Sequence, residues 1–122
     1  MAPNNDLTGR IIGCCFKVHA ALGPGFTEKI YHKALQIALE DNGLKYQNEK
    51  SFSVNFGGQK AGNFLLDLVV EGEIIVELKA VTGFIPEVFK HQIISYLKAA
   101  DLKIGLLVNF GNKSCQIKRF SL

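Results

Sequence analysis

An acid and, ten positions later, a Glu-X-Lys triplet form the arrangement in this chain that carries most chemistry: Asp67 is followed by Glu77-Leu78-Lys79. The acid lies between Phe64-Leu65-Leu66 and Leu68-Val69-Val70, and the glutamate follows Ile74-Ile75-Val76. Apolar runs of this kind go to a core, where an unpaired charge costs several kcal/mol. The three ionisable groups therefore need partners, and a divalent cation would satisfy two carboxylates at once. The alternative is a carboxylate that caps a turn or accepts a backbone amide, beside a half-exposed Glu77–Lys79 ion pair.

Where Asp67 points depends on register. Side chains alternate along a strand, so Glu77 and Lys79 share a face. If the connection is the three residues Glu71-Gly72-Glu73, Val70 pairs with Ile74 and Asp67 falls opposite Glu77, at roughly 4.5–5.5 Å between Cβ atoms. A two-residue loop without a bulge would send Asp67 to the other face.

Glu28, Gln92 and Tyr96 are further candidates. Glu28 stands in the first turn of a helix, where the dipole favours an anion, and on the border of that helix's apolar face. It could reach inward or simply stabilise the turn. Gln92 lies in the middle of a buried helical arc one turn before Tyr96; its amide needs hydrogen bonds, from a phosphate or water in a site or from stray backbone groups. His91 points to the polar side and stays out of the set.

The elements that must position these residues follow from periodicity. Leu7, Ile11, Cys14, Cys15, Val18 and Leu22 recur at helical spacing between an Asp6 cap and Gly23-Pro24. A second helix opens near residues 25–27 and runs to about Asn42-Gly43, with Lys29, Lys33, Gln36 and Glu40 on the solvated arc and Ile30, Tyr31, Ala34, Leu35, Ala38 and Leu39 opposite. The period then becomes two: strands over 51–56, 64–70 and 74–80, joined by Gly57-Gly58 and Glu71-Gly72-Glu73, form an antiparallel meander. Pro86 opens a helix to about Ala100, its buried face made by Val88, Phe89, Ile93, Tyr96, Leu97 and Ala100; strands over 104–109 and 115–120 follow. The order α, α, β, β, β, α, β, β implies a two- or three-layer α/β domain with a mixed sheet.

At 122 residues, 48% hydrophobic and 20% charged, the chain has the size and composition of one soluble domain spanning 1–122. No apolar stretch approaches the roughly 18 residues of a membrane span, and residues 1–6 lack a signal-like pattern, so a cytoplasmic protein with no membrane partner is expected. Net charge +3 permits a polyanionic partner without requiring one. Lys60, Lys90, Lys98, Lys103, Lys113, Lys118 and Arg119 could contact a nucleic-acid backbone or form an ordinary solvated exterior. Cys14, Cys15 and Cys115 fit reduced thiols; neither they nor His19, His32 and His91 have the spacing of a zinc site or an iron-sulfur cluster.

Taken in order, Gly25-Phe26-Thr27-Glu28-Lys29-Ile30-Tyr31, Asp67-Leu68-Val69-Val70, Ile75-Val76-Glu77-Leu78-Lys79-Ala80, Gln92-Ile93-Ile94-Ser95-Tyr96-Leu97 and the block from Gly105 to Gly111 resemble the PD-(D/E)XK nuclease superfamily, and within it the small proteins named for a GxxExxY motif. The resemblance implies a restriction-endonuclease-like α/β core, a mixed sheet flanked by helices. It implies Mg²⁺ or Mn²⁺ held by Glu28, Asp67, Glu77 and the backbone carbonyl of Leu78, with Lys79 orienting water or stabilising phosphate charge. Gln92 and Tyr96 would correspond to the superfamily's QxxxY substrate-binding motif. The implied activity is metal-dependent phosphodiester hydrolysis in nucleic acid, DNA first. A silent nucleic-acid-binding or assembly module on the same fold is the alternative. Iron-sulfur clusters of some relatives are not expected here, and a homodimer would let so small a nuclease grip a duplex.

Overall fold

A computed structural model describes residues 5–122; residues 1–4 of the expected domain lie outside the described residues. Helix α1 spans Asn5–Leu22 and α2 Glu28–Asp41. Strands β1 (Tyr46–Phe56), β2 (Gln59–Val70) and β3 (Ile74–Lys79) form the meander, α3 (Glu87–Ala100) crosses over, and β4 (Ile104–Asn109) and β5 (Gln116–Ser121) complete the sheet. The five strands lie in sequence order, antiparallel except for the parallel pair β3–β4 that the crossover helix makes possible. No described helix is long and apolar enough to cross a membrane.

Three layers result. Ile11, Cys15 and Val18 of α1 and Tyr31, Leu35 and Leu39 of α2 pack on Val76, Leu78, Leu106 and Val108, one face of the sheet. Ile93 and Leu97 of α3 pack on Ile75 and Leu107, the other face. Even-numbered residues of β3 and β4 thus point to the helix pair and odd-numbered ones to α3, which gives Glu77 and Lys79 to the α3 side.

Several expected boundaries move. Asp6 sits inside the first turn of α1 and complements its dipole there. In α2, Gln36 is buried whereas Ile30 is 44% exposed, because the sheet meets the helix further round than the wheel implied. Val88 is 54% exposed, so the buried face of α3 narrows to Ile93 and Leu97 with Phe89, Tyr96 and Ala100 at its flanks. β1 begins five residues before the expected 51, and β2 five before 64, as a ribbon whose distal half is largely exposed on both faces.

The far end of β3 is tied down by asparagines. Asn109, fully buried, accepts the Val81 and Gly111 N–H groups and donates to the Val81 carbonyl. Gly111 passes so close that a Cβ there would lie 2.2 Å from the Val81 carbonyl oxygen, a distance no packing adjustment absorbs without moving the backbone. Gly111→Ala should therefore destabilise the protein by about 3 kcal/mol, the upper end of the overpacking range. Gly9→Ala, in an exposed helical position with nothing within 4 Å, should be neutral or stabilising by up to about 1 kcal/mol. Urea unfolding of the two variants checks this; equal midpoints would contradict it.

Candidate active site

β2 and β3 pair as Val70↔Ile74, Val69↔Ile75 and Leu68↔Val76, the register of the three-residue loop. Asp67 and Glu77 come next, and there the ladder opens. The Asp67 carboxylate takes the place of the missing main-chain partner: its Oδ2 accepts the Leu78 N–H at 2.8 Å. N–H and C=O of one residue leave an extended strand on the same side, so the Leu78 carbonyl is also directed into this gap.

β1 is interrupted at the same level. Its pairs run Asn48↔Leu68 and then Lys50↔Leu66, skipping Glu49, which has φ +51. The carbonyl of Asp67 is met instead by the His32 ring, Nε2 at 3.1 Å. Across this kink the strand changes face: Leu68 and Val70 belong to the helix-pair layer, whereas Leu66 belongs to the α3 layer. Asp67 thus lies where the pleat breaks, and lines cavities on both sides of it.

The first cavity, about 140 Å³, lies under α3 and is lined by Asp67, Glu77, Lys79, Phe89, Gln92 and Tyr96. Glu77 is 7% exposed, and its Oε1 has no hydrogen-bond partner among the described residues. Burial, then the hydrogen bond and negative charge of Asp67, push the Glu77 carboxyl up to about 9, with Lys79 pulling the other way. The Tyr96 ring stacks on Phe64 at 4.6 Å, and burial together with Glu77 and Asp67 raises its phenol pKa, keeping it a donor. Gln92 lines the cavity partly buried, and His91 is exposed as expected.

Lys79 lies at the junction. Its ammonium sits 4.1 Å from the centre of the Phe89 ring and 3.7 Å from Glu28 Oε1. The Glu28 side chain is 49% exposed and lines the second cavity, about 500 Å³, with His32, Glu49, Asp67 and Lys79. Tyr31, the last residue of the Gly25–Tyr31 motif, is structural: fully buried, it stacks on Phe110 at 4.7 Å, accepts the Phe26 N–H and donates to the Gly23 carbonyl, fixing the entry to α2 that carries Glu28.

The structure therefore brings Asp67, Glu77, Lys79, Gln92 and Tyr96 to one cleft. Glu28 stands in the adjoining cavity with Asp67 and Leu78 and pairs there with Lys79; among the described residues no three His, Cys, Asp or Glu side chains form a group able to hold a metal ion. For a hard cation the donor chemistry still fits: Glu77 keeps a buried, unsatisfied oxygen in the cleft it shares with Asp67, and Leu78 lines the adjoining cavity with Asp67. Sequence reasoning missed His32, Glu49 and Phe89. The i, i+4 spacing of Glu28 and His32 was a signal for the first; the positive φ of Glu49 left none.

A family model described as the PD-(D/E)XK nuclease superfamily matches residues 5–120. Among solved structures, one described as "Crystal structure of SSO0001" superposes with a TM-score of 0.62 at 20% identity, covering 97% of this chain and 58% of that one. The likeness is one of fold, and this chain spans little more than half the length of that relative. No curated protein matches it.

The buried pair has a pH signature. Folded, Glu77 keeps its proton up to about pH 9, whereas the unfolded chain releases it near 4.5, so the native state binds more protons and stability falls as pH rises through that window. In chelator, the wild-type melting temperature should decline between about pH 5 and pH 8, and Glu77→Gln should flatten that decline. Mn²⁺ should restore stability at the upper end for the wild type but not for Glu77→Gln. Parallel melting profiles for the two proteins would contradict this.

Proposed function

The chain belongs to the PD-(D/E)XK nuclease superfamily, and on that premise we propose that it is a divalent-metal-dependent nuclease, hydrolysing phosphodiester bonds in nucleic acid and in DNA foremost. The observation that carries this reading is the orphaned, buried Oε1 of Glu77 beside Asp67 and Lys79: a purely structural carboxylate would have been given a donor.

In this reading Asp67, Glu77 and the Leu78 carbonyl hold Mg²⁺ or Mn²⁺. When bound, the cation supplies positive charge against the phosphate and favours deprotonation of a nearby water. The remaining work belongs to side chains. Lys79, flanked by Phe89 and Glu28, presents its ammonium at the mouth of the cleft, where it opposes charge developing on the phosphoryl oxygens as water attacks phosphorus and the opposite P–O bond breaks. Glu28 acts through Lys79, limiting where that ammonium can swing. The Gln92 amide and the protonated Tyr96 hydroxyl are donors placed for a non-bridging phosphate oxygen. Hydrogen bonding by His32 holds the Asp67 backbone so that its carboxylate keeps its direction.

One observation favours a second reading, a nucleic-acid-binding module that does not cut: the Lys79 ammonium already has a carboxylate partner in Glu28. Incubation with Mg²⁺ or Mn²⁺ and single- and double-stranded DNA and RNA separates the two. The wild type is expected to cleave, and Asp67→Ala and Lys79→Ala to lose at least about 10²-fold in rate. Equal background from all three proteins would overturn the catalytic reading.

A further inference from the structure

Phe84 is 97% exposed, and leaving a phenylalanine outside the core forgoes roughly 1.5–3 kcal/mol of burial. The ring is not on a loose end. Immediately before it, Asn112 accepts the Gly83 N–H at 2.8 Å and donates to the Gly83 carbonyl at 2.9 Å, while Asn109 makes the same two bonds to Val81, each 2.9 Å. Gly83 has φ +84, a conformation glycine adopts freely and few other residues tolerate. Immediately after it, Pro86 starts α3. Four side-chain hydrogen bonds, a left-handed glycine and a proline thus fix the backbone on either side of an aromatic residue whose ring stands in water.

Beside the ring runs an open groove of about 340 Å³, lined by Phe84, Ile85, Glu87, Lys90, Ile117 and Lys118. Two ammonium groups stand there against one carboxylate. Lys90 is paired with Glu87 at 2.9 Å and Lys118 also acts on that carboxylate, so the groove's two ammonium groups and one carboxylate leave a net positive charge. The groove adjoins the candidate site. Phe84 lies on the loop at the carboxyl end of β3, the end that bears Lys79, and the first turn of α3 serves both places: Phe89 underlies Lys79 in the cleft while Glu87 and Lys90 line the groove.

An aromatic face with an adjacent cation suits a nucleotide whose base is unpaired, since a base within a duplex already has both faces covered. The geometry points to a subsite for one unpaired nucleotide of a single-stranded nucleic acid, its base stacked on Phe84 and a neighbouring phosphate at Lys118. This rests on the phosphodiester-cleaving reading for its substrate class and adds that the strand is presented single.

The chain contains no tryptophan, so Phe84→Trp introduces a single indole at the position in question. A short single-stranded oligonucleotide, added with Ca²⁺ in place of Mg²⁺, should quench its emission saturably, and the corresponding blunt duplex should not. Phe84→Ala should weaken single-strand binding, read by anisotropy, by about 5- to 150-fold while leaving duplex binding unchanged. Lys118→Ala should lower the salt dependence of binding by about one counterion. Phe84→Trp should restore the affinity that Phe84→Ala loses. Unaltered single-strand affinity in Phe84→Ala overturns the subsite. So does equal loss for single strand and duplex, absence of any binding by the wild type, or indole emission that changes with protein concentration alone, which would mark the ring as a contact between copies of this chain. The two readings fail separately. Cleavage lost in Asp67→Ala with binding and cleavage normal in Phe84→Ala removes the subsite and keeps the nuclease. Phe84-dependent binding without cleavage by any variant does the reverse.

Discussion

Asp67 and Glu77 face one small cleft, where burial and the neighbouring Asp67 carboxylate push the Glu77 carboxyl up to about 9, so a cation between the two is what would let both ionise at neutral pH. The surrounding structure can be understood from that requirement. The β2–β3 ladder opens at this level, and the energetic cost of lost main-chain pairing is offset by the Leu78 N–H bonding to Asp67 and by the His32 ring meeting the Asp67 carbonyl. Glu77 is left with a buried oxygen that no described residue satisfies. Such an atom is tolerated where a ligand supplies what the chain withholds.

Rigidity around the pair comes from parts of the sequence far from it. Asn109 and Asn112 clamp the segment after β3, so the strand that carries Glu77 and Lys79 ends in a fixed position. Tyr31 and Phe110 stack across the opposite layer and fix the start of α2, which brings Glu28 to Lys79. The His19 ring bonds the Asn112 carbonyl at 2.8 Å and lies over Phe110, linking α1 to the same region. These groups touch no candidate substrate position; they hold the carboxylates, the lysine and the exposed Phe84 in a constant relation. Burial pushes the thiols of Cys14 and Cys15 up, and that of Cys115 to about 11, so they are held as neutral thiols at neutral pH.

Much of this was legible in the chain because the strongest signals were local. Of the two connections the sequence allows, the three-residue Glu71-Gly72-Glu73 is the one found, and it brings Asp67 and Glu77 together; helical and strand periods gave the order of elements. Failures came where tertiary contacts overrode pattern. Residues 46–50 carry little apolar alternation because β1 is an edge strand, so its start was not visible. The kink at Glu49 and Asp67 depends on two strands and a helix together, and no window of sequence contains all three. Glu28 was placed correctly on its helix, yet the direction of a half-exposed side chain is settled by its neighbour Lys79, not by spacing.

Anomalous diffraction from crystals soaked in Mn²⁺ would test the central claim most directly, since it locates the ion without relying on turnover. The expected result is a peak between the Asp67 and Glu77 carboxylates, within coordination distance of the Leu78 carbonyl, with Oε1 of Glu77 among its ligands. A cleft holding no manganese, with Asp67 and Glu77 still bridged by a proton in metal-saturated crystals, would contradict the account.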